Sequence, residues 1–165
     1  MKIVVVSGGF DPIHSGHLAM LREASGMGDK LIVGLNSDTW LTRKKGKPFM
    51  DVSERRAVLE SIRWVDEVWE FDDSDGSACD LLERVRDHYC KILPVVTDFQ
   101  MSSVAEIWFA NGGDRNETNN AEASVPNINF VYGVGGSNKR NSSSWLLRSW
   151  NESSSDNTDN RSKNT

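Results

Sequence analysis

Gly8-Gly9-Phe10-Asp11-Pro12-Ile13-His14-Ser15-Gly16-His17 lies between an apolar run, Ile3-Val4-Val5-Val6, and a helix-like segment, Leu18 to Ala24. The order reads strand, glycine-bearing turn, helix. Such a turn presents backbone N–H groups and the positive end of a helix, a common setting for phosphate. His14 and His17 stand three residues apart where the helix should begin, so their rings can point to one side. Two competing readings are a structural pair of histidines and a zinc site. The zinc reading has only two strong ligands at the right spacing and no third fixed nearby.

The rest of the chain sets bounds. Its 165 residues suit one domain with a real core. A net charge of −5 argues against a dedicated nucleic-acid binder, which usually carries a basic face. No apolar run approaches the length of a membrane span, and the N-terminus has no signal layout. Cys79 and Cys90 are too few for a disulfide framework and lack metal spacing. A reducing cytoplasm is the expected compartment.

A second apolar run, Lys30 to Leu35, completes a strand–helix–strand unit, expected to be parallel and right-handed. Asp38 falls just past it, at a strand's carboxyl end, where ligands gather in open α/β sheets. A loop-turn role for Asp38 fits equally well. Arg43-Lys44-Lys45-Gly46-Lys47-Pro48 reads as a solvated basic loop. Ser53 is the expected N-cap of the next helix, with Val58, Ile62 and Val65 on its apolar face. Val68 to Phe71 is a short strand, Asp72 to Ser77 an acidic turn, and Ala78 to His88 a helix. The segment Cys90–Ser103 reads as an insertion of open role. Ala105 to Ala110 is a further strand ending in Asn111-Gly112-Gly113-Asp114, and Asn129 to Val134 is the last one. Ser142-Ser143-Ser144 opens a final helix, as caps and as phosphate-docking donors. From Asn151 to Thr165 no apolar residue appears, so residues 151–165 are expected to be a disordered polar tail after a domain of residues 1–150.

The first stretch resembles the HxGH signature of the nucleotidyltransferase superfamily, cytidylyltransferase branch, and every fixed position of Gly-x-Phe-Asp-x-x-His-x-Gly-His is present. Arg55–Val68, Gly112–Asp114 and Ser142–Leu147 resemble further family segments, the last loosely, with Ser for Thr. The resemblance covers roughly residues 2 to 150 and extends to glycerol-3-phosphate cytidylyltransferases and heptose-phosphate nucleotidyltransferase domains. It implies an α/β, Rossmann-like open sheet, mostly parallel, with helices on both faces. It implies attack by a small phosphorylated acceptor on the α-phosphate of CTP, releasing pyrophosphate. In that scheme His14 and His17 donate to phosphate oxygens, and Lys44 or Lys45 covers the triphosphate. Gly8, Gly9, Phe10, Asp11, Gly16, Asp38, Gly112, Gly113, Asp114, Ser142, Ser143 and Ser144 form the nucleotide site. Arg55 and Arg63 hold the acceptor phosphate. Mg2+ is expected to arrive with the triphosphate, and relatives suggest a homodimer. Two alternatives stay open: an adenylyltransferase using ATP at the same phosphate site, and a nucleotide-binding module without catalysis.

Overall fold

The computed structural model describes residues 1–90, 105–112, 118, 120–136 and 142–159. Among them β1 (Lys2–Gly8), α1 (Ser15–Ser25), β2 (Lys30–Leu35), α2 (Asp38–Lys45), α3 (Val52–Glu60), β3 (Glu67–Glu70) and α4 (Cys79–Cys90) follow in order. Then come β4 (Glu106–Ala110), a 3-10 turn (Ala121–Ser124), β5 (Ile128–Val131) and α5 (Ser143–Asp159). The strands form one sheet in the order β3-β2-β1-β4-β5, and every pairing is parallel. The expected α/β class holds, and the sheet is wholly parallel where it was expected to be mostly so.

Both faces of the sheet are covered, which explains why its central strands are continuous apolar runs rather than alternating ones. Val4, Val6, Leu31, Val33 and Leu35 pack with Leu21 and Ala24 of α1 and Leu59 of α3. Ile3, Val5, Ile32, Ile107 and Phe109 pack with Leu81, Leu82 and Val85 of α4. The chain order therefore reverses across the sheet at β1, with β2 on one side and β4 on the other. That is the topological switch point where open α/β sheets bind ligands.

Several local expectations are corrected. The basic run is the last turn of α2, not a loop. Ser37 starts that helix by accepting from Trp40 N–H at 3.0 Å, and the chain leaves it at Gly46. The cap of α3 is Asp51, not Ser53: its Oδ1 accepts from Glu54 N–H at 3.0 Å and from the Ser53 hydroxyl at 2.6 Å. Helix α5 runs on to Asp159, into the polar segment for which composition implied disorder. The segment 91–104 lies outside the described residues. No described helix is long and apolar enough to cross a membrane.

Close packing of β2 on α4 gives a test. A Cβ on Gly34 would come within 2.1 Å of Leu81 Cδ2. Gly34→Val should destabilise the fold by about 1–3 kcal/mol through overpacking, read as a lower midpoint in urea with an unchanged slope.

Candidate active site at the switch point

The β1–β2 ladder runs on to Gly8↔Leu35, but the β1–β4 ladder ends at Val5↔Phe109. Past that pair β1 and β4 are not paired with each other, and their carboxyl ends, Val6–Gly8 and Ala110–Gly112, flank the switch point. The turn after β1 begins there. Phe10 occupies the left-handed region, φ 49°, with its side chain almost wholly buried. A non-glycine residue held there stores strain that the surroundings must enforce. Its ring lies against His17, centroids 4.9 Å apart.

His14 is the N-cap of α1. Its Nδ1 accepts from Gly16 N–H at 3.1 Å, which puts its proton on Nε2. A Cβ on residue 16 would sit 3.0 Å from His14 Cε1, so only glycine lets the ring fold over the helix end. The His14 and His17 rings stack, centroids 3.8 Å apart and planes at 27°. The pair expected from spacing therefore faces one way. Burial, aided by His14 and Lys45 nearby, pushes His17 down to about 3, and burial lowers His14 as well. Both are neutral at pH 7, and each retains one N–H to donate. His17 Nδ1 is buried with no hydrogen-bond partner.

A second helix end meets this turn. Ser143 Oγ donates to Pro12 O at 2.8 Å, while Ser142 Oγ accepts from Trp145 N–H at 3.2 Å as the cap of α5. Ser144 is exposed beside them. The N-termini of α1 and α5 thus converge on Asp11–His14. Two positive helix ends and two imidazole donors therefore meet at one turn, an arrangement suited to an anion.

The choice between the two lysines is decided by position. Lys45 Nζ pairs with Asp11 Oδ2 at 2.8 Å and also donates to Asp11 O. Lys44 Nζ instead lies 4.5 Å from the centroid of the Trp40 ring, exposed. Lys45 is the cation at the histidine pair.

Four assigned residues do other work. Asp11 is 1% exposed; its Oδ1 and Oδ2 accept from Met50 and Phe49 N–H at 2.7 and 2.8 Å. Burial raises its carboxyl, but the Lys45 pair and the two N–H bonds outweigh that and leave it below its usual value. In this structure its carboxylate anchors the chain between α2 and α3 to the first turn. Asp38 accepts from Arg55 Nη2 at 2.6 Å and from Val52 N–H at 3.1 Å, so it holds α3 rather than a ligand. Arg55 is 1% exposed and donates to Gly9 O, Asn36 O and Met50 O at 2.8, 2.9 and 3.1 Å. Four of its five N–H donors are engaged within the chain. Arg63 lies at the wrong end of the sheet. Helix α3 starts at the carboxyl edge and runs back, so residue 63 emerges near Asp66, whose N–H bonds Leu31 O at the start of β2. Its guanidinium is 5.1 Å from the Trp64 ring.

Gly8 and Gly9 line the turn; a Cβ on Gly9 would stand 2.7 Å from Leu41 Cδ2. Gly112 closes against Met20 Sδ, 3.0 Å from where its Cβ would be. Gly113 and Asp114 lie outside the described residues. Sequence reasoning missed Asn111, which is 4% exposed at the end of β4 with Nδ2 unpartnered, and Asp73, which accepts from Asn36 Nδ2, Ser37 N–H and Ser37 Oγ at 3.0, 2.7 and 2.7 Å. No spacing signal marks either; only the fold brings them to the strand ends. Among the described residues no group of three or more His, Cys, Asp or Glu could hold a metal.

Residues 5–131 match the family model described as cytidylyltransferase-like. The chain belongs to that family. It is 35% identical over 146 residues to the bifunctional protein HldE of Actinobacillus succinogenes, covering 83% of this chain and 26% of that protein. To HldE of Azotobacter vinelandii it is 37% identical over 117 residues, covering 68% and 24%. The chain thus spans about a quarter of the length of these curated relatives. A solved lipopolysaccharide core biosynthesis protein from Thermoplasma volcanium superposes with a TM-score of 0.59 at 20% identity, over 80% of this chain and 95% of that one, and so shares this fold.

The corrected arginines give one test. Arg55→Ala should cost about 3 kcal/mol or more of stability, because it strands Asp38 and three carbonyls, whereas Arg63→Ala should leave both folding and acceptor KM unchanged. The imidazoles give another. The folded chain resists protonation of His17 until about pH 3, while the unfolded chain takes a proton near pH 6.5. Stability should therefore fall as pH drops through that window. Thermal melts of His17→Gln across pH 4–7 should show a shallower fall than the unaltered chain.

Proposed function

We propose that the chain is a nucleotidyltransferase joining a nucleoside triphosphate to a small phosphorylated acceptor, with release of pyrophosphate. The observation that carries this reading is the stacked, neutral His14–His17 pair at the meeting of the α1 and α5 N-termini. In phosphoryl transfer the protein mainly positions groups and offsets charge. His14 Nε2–H and the free N–H of His17 would donate to the α- and β-phosphate oxygens as charge builds on them. The helix ends would hold the β- and γ-phosphates, with Ser142, Ser143 and Ser144 at the α5 end. Lys45 would swing from Asp11 to the leaving pyrophosphate. Mg2+ would enter as part of the triphosphate substrate.

The acceptor we favour is a sugar phosphate, supported by the similarity to HldE proteins and to heptose-phosphate nucleotidyltransferase domains. The phosphate machinery touches no base, so it serves CTP and ATP alike. CTP is the first candidate from the family's description, and ATP is the second.

A pyrophosphate-release screen of CTP and ATP against phosphorylated sugars and polyols tests the reading. Turnover with a sugar phosphate and one of the two nucleotides is expected. Nucleotide binding with no pyrophosphate release across the panel would overturn it in favour of a binding module. In the active combination His17→Ala should lower kcat by about 100-fold, the scale of losing one transition-state donor.

A further inference from the structure

The geometry points to Asn111 as a substrate-binding residue whose carboxamide N–H donates to an oxygen of the phosphorylated acceptor, an inference that rests on the transferase reading above. Asn111 is fixed from both sides of its backbone: its N–H donates to Val131 O at 2.7 Å and its carbonyl accepts from Val134 N–H at 3.1 Å. The side chain is therefore held in place at the strand end. It is 4% exposed, yet Nδ2 has no partner. A buried amide without a partner costs stability, on the order of 1–3 kcal/mol, and such groups are rare outside functional sites. Asn111 stands at the carboxyl end of β4, past the last β1–β4 pair, Val5↔Phe109, and so at the switch point where open α/β sheets bind ligands.

The face of the sheet identifies the substrate. Ile107 and Phe109 pack in the cluster with α4, while Trp108 and Ala110 pack in the cluster with α1. By strand alternation Asn111 follows Phe109, away from α1. The phosphate-binding helix end belongs to α1. In nucleotidyl transfer the attacking and leaving oxygens lie roughly in line across the α-phosphorus. With the leaving pyrophosphate held at the α1 and α5 N-termini, the acceptor's attacking phosphate must approach from the other side. That is the face of the sheet to which Asn111 belongs. Arg55 is committed to the turns and Arg63 lies at the far edge, so a neutral donor at this position takes on part of the role first given to the arginines.

The test compares the unaltered chain with Asn111→Ala and the near-isosteric Asn111→Asp. Steady-state kinetics in the active nucleotide–acceptor pair should show acceptor KM raised about tenfold or more in Asn111→Ala. The rise should be larger in Asn111→Asp, which adds a negative charge facing a phosphate. Nucleotide KM should stay within about twofold in both, a change smaller than one hydrogen bond. A carboxylate loses its hydration at this buried position, so the melting temperature of Asn111→Asp should fall at neutral pH, and acceptor KM is read below the melting range of both variants. Unchanged acceptor KM in both variants, or a rise confined to nucleotide KM, overturns the assignment while leaving the transferase reading intact. No turnover by the unaltered chain with any acceptor overturns both.

Discussion

One buried guanidinium holds the carboxyl edge of the sheet together. Arg55 donates to the carbonyls of Gly9, Asn36 and Met50 and pairs with Asp38. Those four partners belong to the turn after β1, the end of β2, the loop before α3 and the first residue of α2. Each would otherwise leave a carbonyl or carboxylate facing a poorly hydrated edge, and turns of this kind have little packing to fix them. Arginine suits the task because its planar fork offers several donors in a fixed geometry and is only weakly hydrated. The stacking of His14 on His17 depends on this frame, since Gly9 positions Phe10 and Phe10 backs His17.

Asp11 extends the frame in the other direction. Its carboxylate takes two N–H bonds from Phe49 and Met50 and holds Lys45, so the chain between α2 and α3 is tied to the first turn. The same contacts keep a cation beside His17 and disfavour its protonation. An anion at this site reverses that balance. Phosphate oxygens would attract Lys45 and accept from the imidazoles at once, so ligand and resting contacts compete for the same groups. The imidazoles and helix ends are thus in place beforehand, whereas Lys45 would have to leave Asp11 to meet an anion.

The first motif, the parallel sheet and the order of its elements were legible, because strand–turn–helix patterning and apolar runs depend on local sequence. The roles of Arg55, Asp38 and Asp11 were not. Each is a charged residue in a motif that reads as ligand-binding, and only tertiary contact shows that each is spent on other parts of the chain. Arg63 failed for a plainer reason. Helical spacing places it on the same helix run as Arg55, but two further turns carry it to the opposite edge of the sheet. Residue pattern gives the face of a helix, not which end of the strands it reaches. The lysines show the reverse case: charge runs blur their members, and the fold separates Lys44 over Trp40 from Lys45 on Asp11.

These corrections change where specificity can reside. Arg55 is engaged by the turns and Arg63 lies beside Trp64, away from the histidine pair. On the transferase proposal, selectivity among acceptors would then fall to neutral donors, where a missing or extra hydroxyl leaves a buried polar group unpaired. Such sites discriminate sharply against analogues that lack the matching group, more than a hydrophobic pocket does against size. A charge-based site would accept many phosphorylated compounds with similar ease, whereas a buried, oriented carboxamide in the proposed role would favour one arrangement of oxygens over its isomers.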